Sequence, residues 1–284
     1  MIASFFKTYK AEGIKLKNTY IYWLALILTF VTPTIYVAFH LFKLKEYNKE
    51  IYPNFKIFEI VFNDISGSYL SFFYLLTLVL ATSRLAQVDF KYNTWQMVET
   101  LPVSKFNIYF SKFLRVISVL FIGLLAVIVI SILSALFLYL LVDNKENVSL
   151  SLPIIPYLQY LTKGIVASLF AVSVLFFISI RFSNFIFTML IGFGLIIAMP
   201  ILNALGKLPK WEMYKLIGNV TDAKSDIGKW FTYSDYVSIC LAIPFLVVGY
   251  FWYKDRTFKN AFIQHKKQLL LSVATIVVFF GLAY

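Results

Sequence analysis

Apolar runs broken at charged residues frame this chain. Residues 18–42 carry no charge between Lys17 and Lys43, 65–83 none between Asp64 and Arg84, and 116–142 none between Arg115 and Asp143. The same holds for 164–180, 182–206 and 236–253, and for a last run, 268–284, after Lys267. A helix needs roughly 20 apolar residues to cross a bilayer core. Adjusted for their flanking residues, the first six runs predict spans at about 20–42, 65–83, 112–142, 160–180, 184–205 and 236–253. The seventh run is apolar all round, which predicts a buried span rather than a helix lying flat. Residues 1–19 form an amphipathic helix, with Ile2, Phe5, Phe6 and Tyr9 on one side and Lys7 and Lys10 on another. The fold class is therefore all-α and integral to the membrane.

Local signals refine the spans. Pro33 lies inside the first span between Thr32 and Thr34, so a kink with hydroxyls near the freed carbonyl is expected. Small residues at Gly164, Ala167, Ser168, Ala171, Gly192 and Gly194 predict close helix packing. No ionisable residue stands in the middle of any run, and His40 lies near the outer end of the first. That counts against a proton-coupled carrier, a metalloprotease and acid–base chemistry within the membrane.

Composition agrees. Hydrophobic residues make up 60% of the chain and charged residues 14%. Soluble domains carry about 25% charge. The net charge of +12 fits cytoplasmic loops better than nucleic acid, because no long soluble segment carries a basic stripe. With the N-terminus inside, inner segments hold 15 Lys/Arg and 4 acids, against 11 and 10 in outer segments. The N-terminus is expected in the cytoplasm. Composition rich in Lys, Asn, Ile and Phe suits an AT-rich bacterial genome, so the expected place is the bacterial plasma membrane, multi-pass. A cleavable leader is not expected, since the first run lacks a small-residue cleavage site. Cys240 sits in an apolar run as a packing residue, and no metal-ligand spacing occurs.

The longest inner loop is the most informative segment. Tyr92, Trp95, Val98 and Leu101 recur at three-residue steps, with Lys91, Asn93, Gln96 and Glu99 beside them. This predicts a short amphipathic helix at about 89–101, ended by Pro102. Ser104 then caps a helix running through Lys105, Lys112 and Arg115 into the third span, with Val103 and Ile108 as a hydrophobic staple. The short helix either docks in a partner's groove or lies on lipid with Trp95 as anchor. On the outer side, 206–234 carries a second short helix from Pro209 to Gly218, with Trp211 and Tyr214 on one face. On its residues alone it reads as part of an interfacial aromatic belt. A basic segment from 254 leads to the seventh run.

The stretch Asp89…Asn93-Thr94…Leu101-Pro102-Val103-Ser104-Lys105 resembles the cytoplasmic signature of ABC-2-type ABC transporter permeases, with Asn93 where Gly is common. The resemblance covers roughly 1–253 and implies a six-span, type V exporter-like bundle; the run 268–284 exceeds that plan. It implies that 89–101 is a coupling helix touching a separate ABC ATPase through Asp89, Tyr92, Asn93, Thr94, Trp95, Val98, Glu99, Leu101 and Pro102. The N-terminal helix, with Phe5, Phe6 and Tyr9, becomes an interfacial elbow, and Trp211 and Tyr214 become outer-gate candidates. Two ATPase copies would bind ATP and Mg; this chain, with no P-loop and no cofactor of its own, would not be an enzyme. Its other partners would be membrane lipids and a second permease, identical or paralogous, and no nucleic acid. The implied function is ATP-driven export of a hydrophobic or amphipathic compound: an antimicrobial peptide, drug or lipid. The competing readings are an ion-coupled secondary transporter and a non-transporting sensor or scaffold.

Overall fold

The computed structural model describes residues 2–17, 19–43, 55–91, 103–142, 145–182, 185–205, 213–218, 220 and 230–255. The chain builds a helical bundle in the order α1 (Ile2–Lys17), α2 (Ile21–Phe42), β1 (Phe55–Lys56), α3 (Ile57–Ser68), a π-helical turn (Tyr69–Phe73) and α4 (Tyr74–Lys91). There follow α5 (Lys105–Leu141), a 3-10 turn (Lys145–Asn147), β2 (Val148–Ser149), α6 (Ile154–Arg181), α7 (Phe185–Ala204), α8 (Met213–Gly218) and α9 (Tyr233–Asp255). Among the described residues, five apolar helices are long enough to cross a membrane: Ile21–Phe42, Ile57–Leu85, Lys105–Leu141, Ile154–Arg181 and Tyr233–Lys254. A shorter apolar stretch, Ile186–Leu202, fills the place of the predicted fifth span. The seventh run, 268–284, lies outside the described residues.

Helix ends follow local chemistry. The Ser104 hydroxyl accepts from the Asn107 amide at 3.3 Å and starts α5 where the sequence placed it. Thr232 and Asp235 make a capping box for α9: one Asp235 oxygen accepts from the Thr232 amide at 2.8 Å and its hydroxyl at 2.9 Å. Pro33 lies inside α2, and the Thr32 hydroxyl reaches the Thr29 carbonyl, four residues before the proline, at 3.5 Å.

Several helices are longer than their apolar runs. The second span begins at Ile57 rather than 65, so Glu59 and Asp64 belong to α3 and not to a loop. Asp64 accepts from the Tyr36 hydroxyl of α2 at 3.3 Å. α4 continues past Arg84 to Lys91, and α6 begins at Ile154, leaving Lys163 inside it. Among these residues Asp64 gains an interhelical partner and Lys163 largely buried surroundings, whereas Glu59 pairs locally with Lys56 at 3.3 Å.

Packing is close where side chains are small. A Cβ on Gly164 would stand 2.9 Å from the Leu124 side chain, and one on Gly192 2.6 Å from Val79. These residues seat α6 against α5 and α7 against α4. The Ser238 hydroxyl of α9 lies 2.8 Å from the Val166 carbonyl and 2.9 Å from that of Ala167, and it accepts from the Phe170 amide at 3.2 Å. The loops after α2 and α5 meet in a parallel bridge, with Phe55 opposite Val148.

Candidate functional site

The best-defined polar site lies at the foot of α5. This helix has 37 residues and is about 55 Å long, against a hydrocarbon core of about 30 Å. Its first turns therefore have room to stand clear of the apolar layer. Lys112 and Arg115, one turn apart, face α1. Lys112 donates to Glu12 at 2.9 Å, and the two side chains are only 4% and 7% exposed. Lys15 reaches the other oxygen of the same carboxylate at 2.8 Å. The Arg115 guanidinium donates to the Tyr9 carbonyl through Nε at 3.0 Å and Nη2 at 2.6 Å, and stacks over the Tyr9 ring at 3.6 Å. Any Cβ at position 13 would collide with that guanidinium, so Gly13 lets α1 approach. The Tyr9 hydroxyl is 2.6 Å from Ser118 Oγ, and Asn107 donates to Ser4 Oγ at 3.1 Å. α1 is thus bolted along α5 by polar contacts.

An aromatic collar holds other faces of the same foot. Tyr109 is fully buried; its hydroxyl donates to the Leu246 carbonyl at 3.0 Å, and its ring meets Phe176, Tyr250 and Tyr253 at 5.3, 5.8 and 5.7 Å. Lys105 donates to the Lys254 carbonyl at 2.9 Å. Arg181 stacks on Trp252 at 4.2 Å. A displacement at Ser104 therefore meets α1, α6 and α9 at once.

The sequence-derived residues are placed unevenly. Asp89 is in the last turns of α4 rather than on a separate loop helix. Tyr92, Asn93, Thr94, Trp95, Val98, Glu99, Leu101 and Pro102 lie outside the described residues, as does Trp211. Tyr214 belongs to α8, whose Leu216 and Ile217 are buried against the bundle. Phe5, Phe6 and Tyr9 line an apolar groove of about 820 Å³ with Ile117 and Phe121 of α5 and Ile165 of α6. Tyr9 does more than anchor α1 at a surface, since it is the hinge of the Arg115 contact. Sequence reasoning missed Glu12. The only signal was an acid flanked by Tyr9 and Leu16, on the side of α1 that turned out to be covered.

These helices and their apolar surfaces define a multi-pass membrane protein built around a long central helix. Residues 8–200 match the family described as ABC-2 family transporter protein, and the chain belongs to that family. It is an ABC transporter permease in general terms, and the matched part covers α2 to α6 and most of α1 and α7. No curated protein and no solved structure matches the chain.

Proposed function

We propose that this chain is the permease subunit of a bacterial plasma-membrane ABC exporter, driven by ATP hydrolysed on separate ATPase subunits. The observation that carries the reading is the foot of α5. The segment 89–102, with the resemblance to a coupling helix, runs directly into Ser104 and α5. A push on that segment bears on a rigid helix clamped to α1, α6 and α9. Mechanical input from a partner could thus reach three other helices without local unfolding. In this reading two ATPase copies bind ATP and Mg, the permease pairs with a second copy or a paralogue, and α1 serves as the interfacial elbow. The N-terminus is cytoplasmic. The apolar lining of the groove beside α1 suits a hydrophobic or amphipathic cargo.

The test is coupling. Substituting Trp95→Ala or Glu99→Ala in the reconstituted complex is expected to lower transport per ATP hydrolysed by about tenfold, roughly 1.4 kcal/mol of coupling. The permease should still purify as a folded, monodisperse protein. Unchanged coupling in both variants, or failure to associate with any ATPase subunit, overturns the proposal.

An ion-coupled carrier is the second reading, because α6 holds a buried lysine that the apolar runs concealed. Transport that survives ATP depletion and collapses with the ion gradient would favour it.

A further inference from the structure

The second span is two helices in one. α3 and α4 follow each other without a break, joined by the π-helical turn Tyr69–Phe73, where the Tyr74 amide donates to the Tyr69 carbonyl. A π-turn holds one residue more than an α-helix needs at that place, and such turns are frequent at functional sites. Its effect shows in two tyrosines. Residues five apart on an α-helix face about 140° apart. Tyr69 and Tyr74 nevertheless both point into the bundle, both fully buried, with their rings 5.9 Å apart. The surplus residue has turned them to one side.

These tyrosines tie the two halves to different helices. The Tyr69 hydroxyl accepts from Thr29 of α2 at 3.4 Å, and Gly123 of α5 makes room for it: a Cβ there would lie 2.7 Å from that oxygen. Asp64 adds a second tie from α3 to α2 through Tyr36. The Tyr74 hydroxyl lies 3.0 Å from Ser168 Oγ and 3.3 Å from the Gly164 carbonyl, both on α6. Spare donors flank the turn. The Ser71 hydroxyl donates to the Gly67 carbonyl at 2.7 Å, and that of Thr77 to the Phe73 carbonyl at 2.8 Å. Carbonyls on both sides thus keep a partner when backbone bonds change. One nearby group is unused. Tyr160 stands one turn before Gly164 on α6; its hydroxyl is buried, has no hydrogen-bond partner among the described residues and interacts electrostatically with Tyr69 and Tyr74.

We propose that the π-turn is a joint within the second span, at which α4 turns relative to α3, and that Tyr160 receives the Tyr74 hydroxyl in the turned state. The turn travels by trading a bond across five residues for one across four. Each residue it passes rotates by about 100° while the helix stays bonded. One step into α4 swings Tyr74 off Ser168. α4 leads into the segment 92–102, so a pull there drives the joint. That the joint serves transport rests on the permease reading; that it moves does not.

Deleting Phe72 tests it. With one residue fewer, Tyr69 and Tyr74 stand four apart on a plain α-helix, about 40° from each other, and keep their side. Phe72 is 48% exposed, so little of the core goes with it. The full chain, purified in dodecyl maltoside, is followed by thermal unfolding and by hydrogen exchange of the amides of 69–77. The deletion should keep the wild-type midpoint and slow that exchange at least about tenfold. Deleting Val129, also exposed but in the uninterrupted α5, should lose the fold, because every later residue of the helix turns by about 100°. Tyr160→Phe should keep the midpoint, since no bond is lost, and slow the exchange about fivefold. Equal midpoints for the two deletions, or unchanged exchange in the Phe72 deletion or in Tyr160→Phe, overturns the joint. Slowed exchange in a chain that never joins an ATPase leaves the joint standing and sinks the permease reading.

Discussion

Glu12 and Lys112 are separated by a hundred positions in the chain, yet they share a dry contact. Burying such a pair gives little net stability, because both charges lose hydration. Removing one partner is different, because the other charge stays behind. Glu12→Gln is therefore expected to destabilise the fold by about 3 kcal/mol, read as a lower thermal midpoint of the purified protein. The double replacement Glu12→Leu with Lys112→Met should recover most of that loss. If the double variant is as unstable as the single one, the pair is not what holds α1 in place. Arg115 adds a second bond to the same helix through a carbonyl, so α1 should remain docked when Glu12 is neutralised.

At the level of elements, helix seams depend on residues without bulk. Gly192 faces Val79, whose branched side chain has little rotamer freedom on a helix. Gly192→Ala should cost about 1–3 kcal/mol through overpacking. Gly194→Ala, with no atom within 4 Å of the added carbon, should be close to neutral and serves as the control on the same helix. Equal midpoints for the two variants would contradict the seam. Much of this level could be read from the chain. The apolar runs coincide with the five described helices long enough to cross a membrane and with the shorter stretch Ile186–Leu202, and Ser104 marked the start of α5 to the residue. The errors share one cause. Cutting runs at charged residues cannot find a charge deep inside a helix, so Glu59 and Asp64 were placed in the loop before the second span and the start of α6 was set six residues late. Partners such as Glu12 and Lys112, or Tyr109 and the Leu246 carbonyl, depend on how helices are arranged in space and leave no local pattern. The coupling segment itself remained a matter of motif alone.

For the whole molecule, the proposed topology, which follows the bias of basic residues, puts the N-terminus and the foot of α5 on the cytoplasmic side. Single-cysteine labelling in a Cys240→Ser background tests this. Leu150→Cys, in the exposed loop before α6, should react with a membrane-impermeant maleimide on intact cells. Lys17→Cys, at the exposed end of α1, should react only after permeabilisation. The opposite pattern would invert the topology and move the foot of α5 away from any cytoplasmic ATPase.

The pairing of α6 with α9 also bears on how the protein is made. More than fifty residues separate the two helices, and α9 supplies Ser238 to α6 as well as Leu246, Tyr250 and Tyr253 to the collar around Tyr109. While the ribosome is still upstream of α9, Tyr109 lacks its acceptor and one wall of the bundle is open. Unmet polar groups in an apolar setting are what membrane quality control must tell apart from finished folds. Among the described residues α9 is the last helix to emerge; it thus acts as a closing strap of assembly, and chains that stall before it should be retained in an open, degradable form.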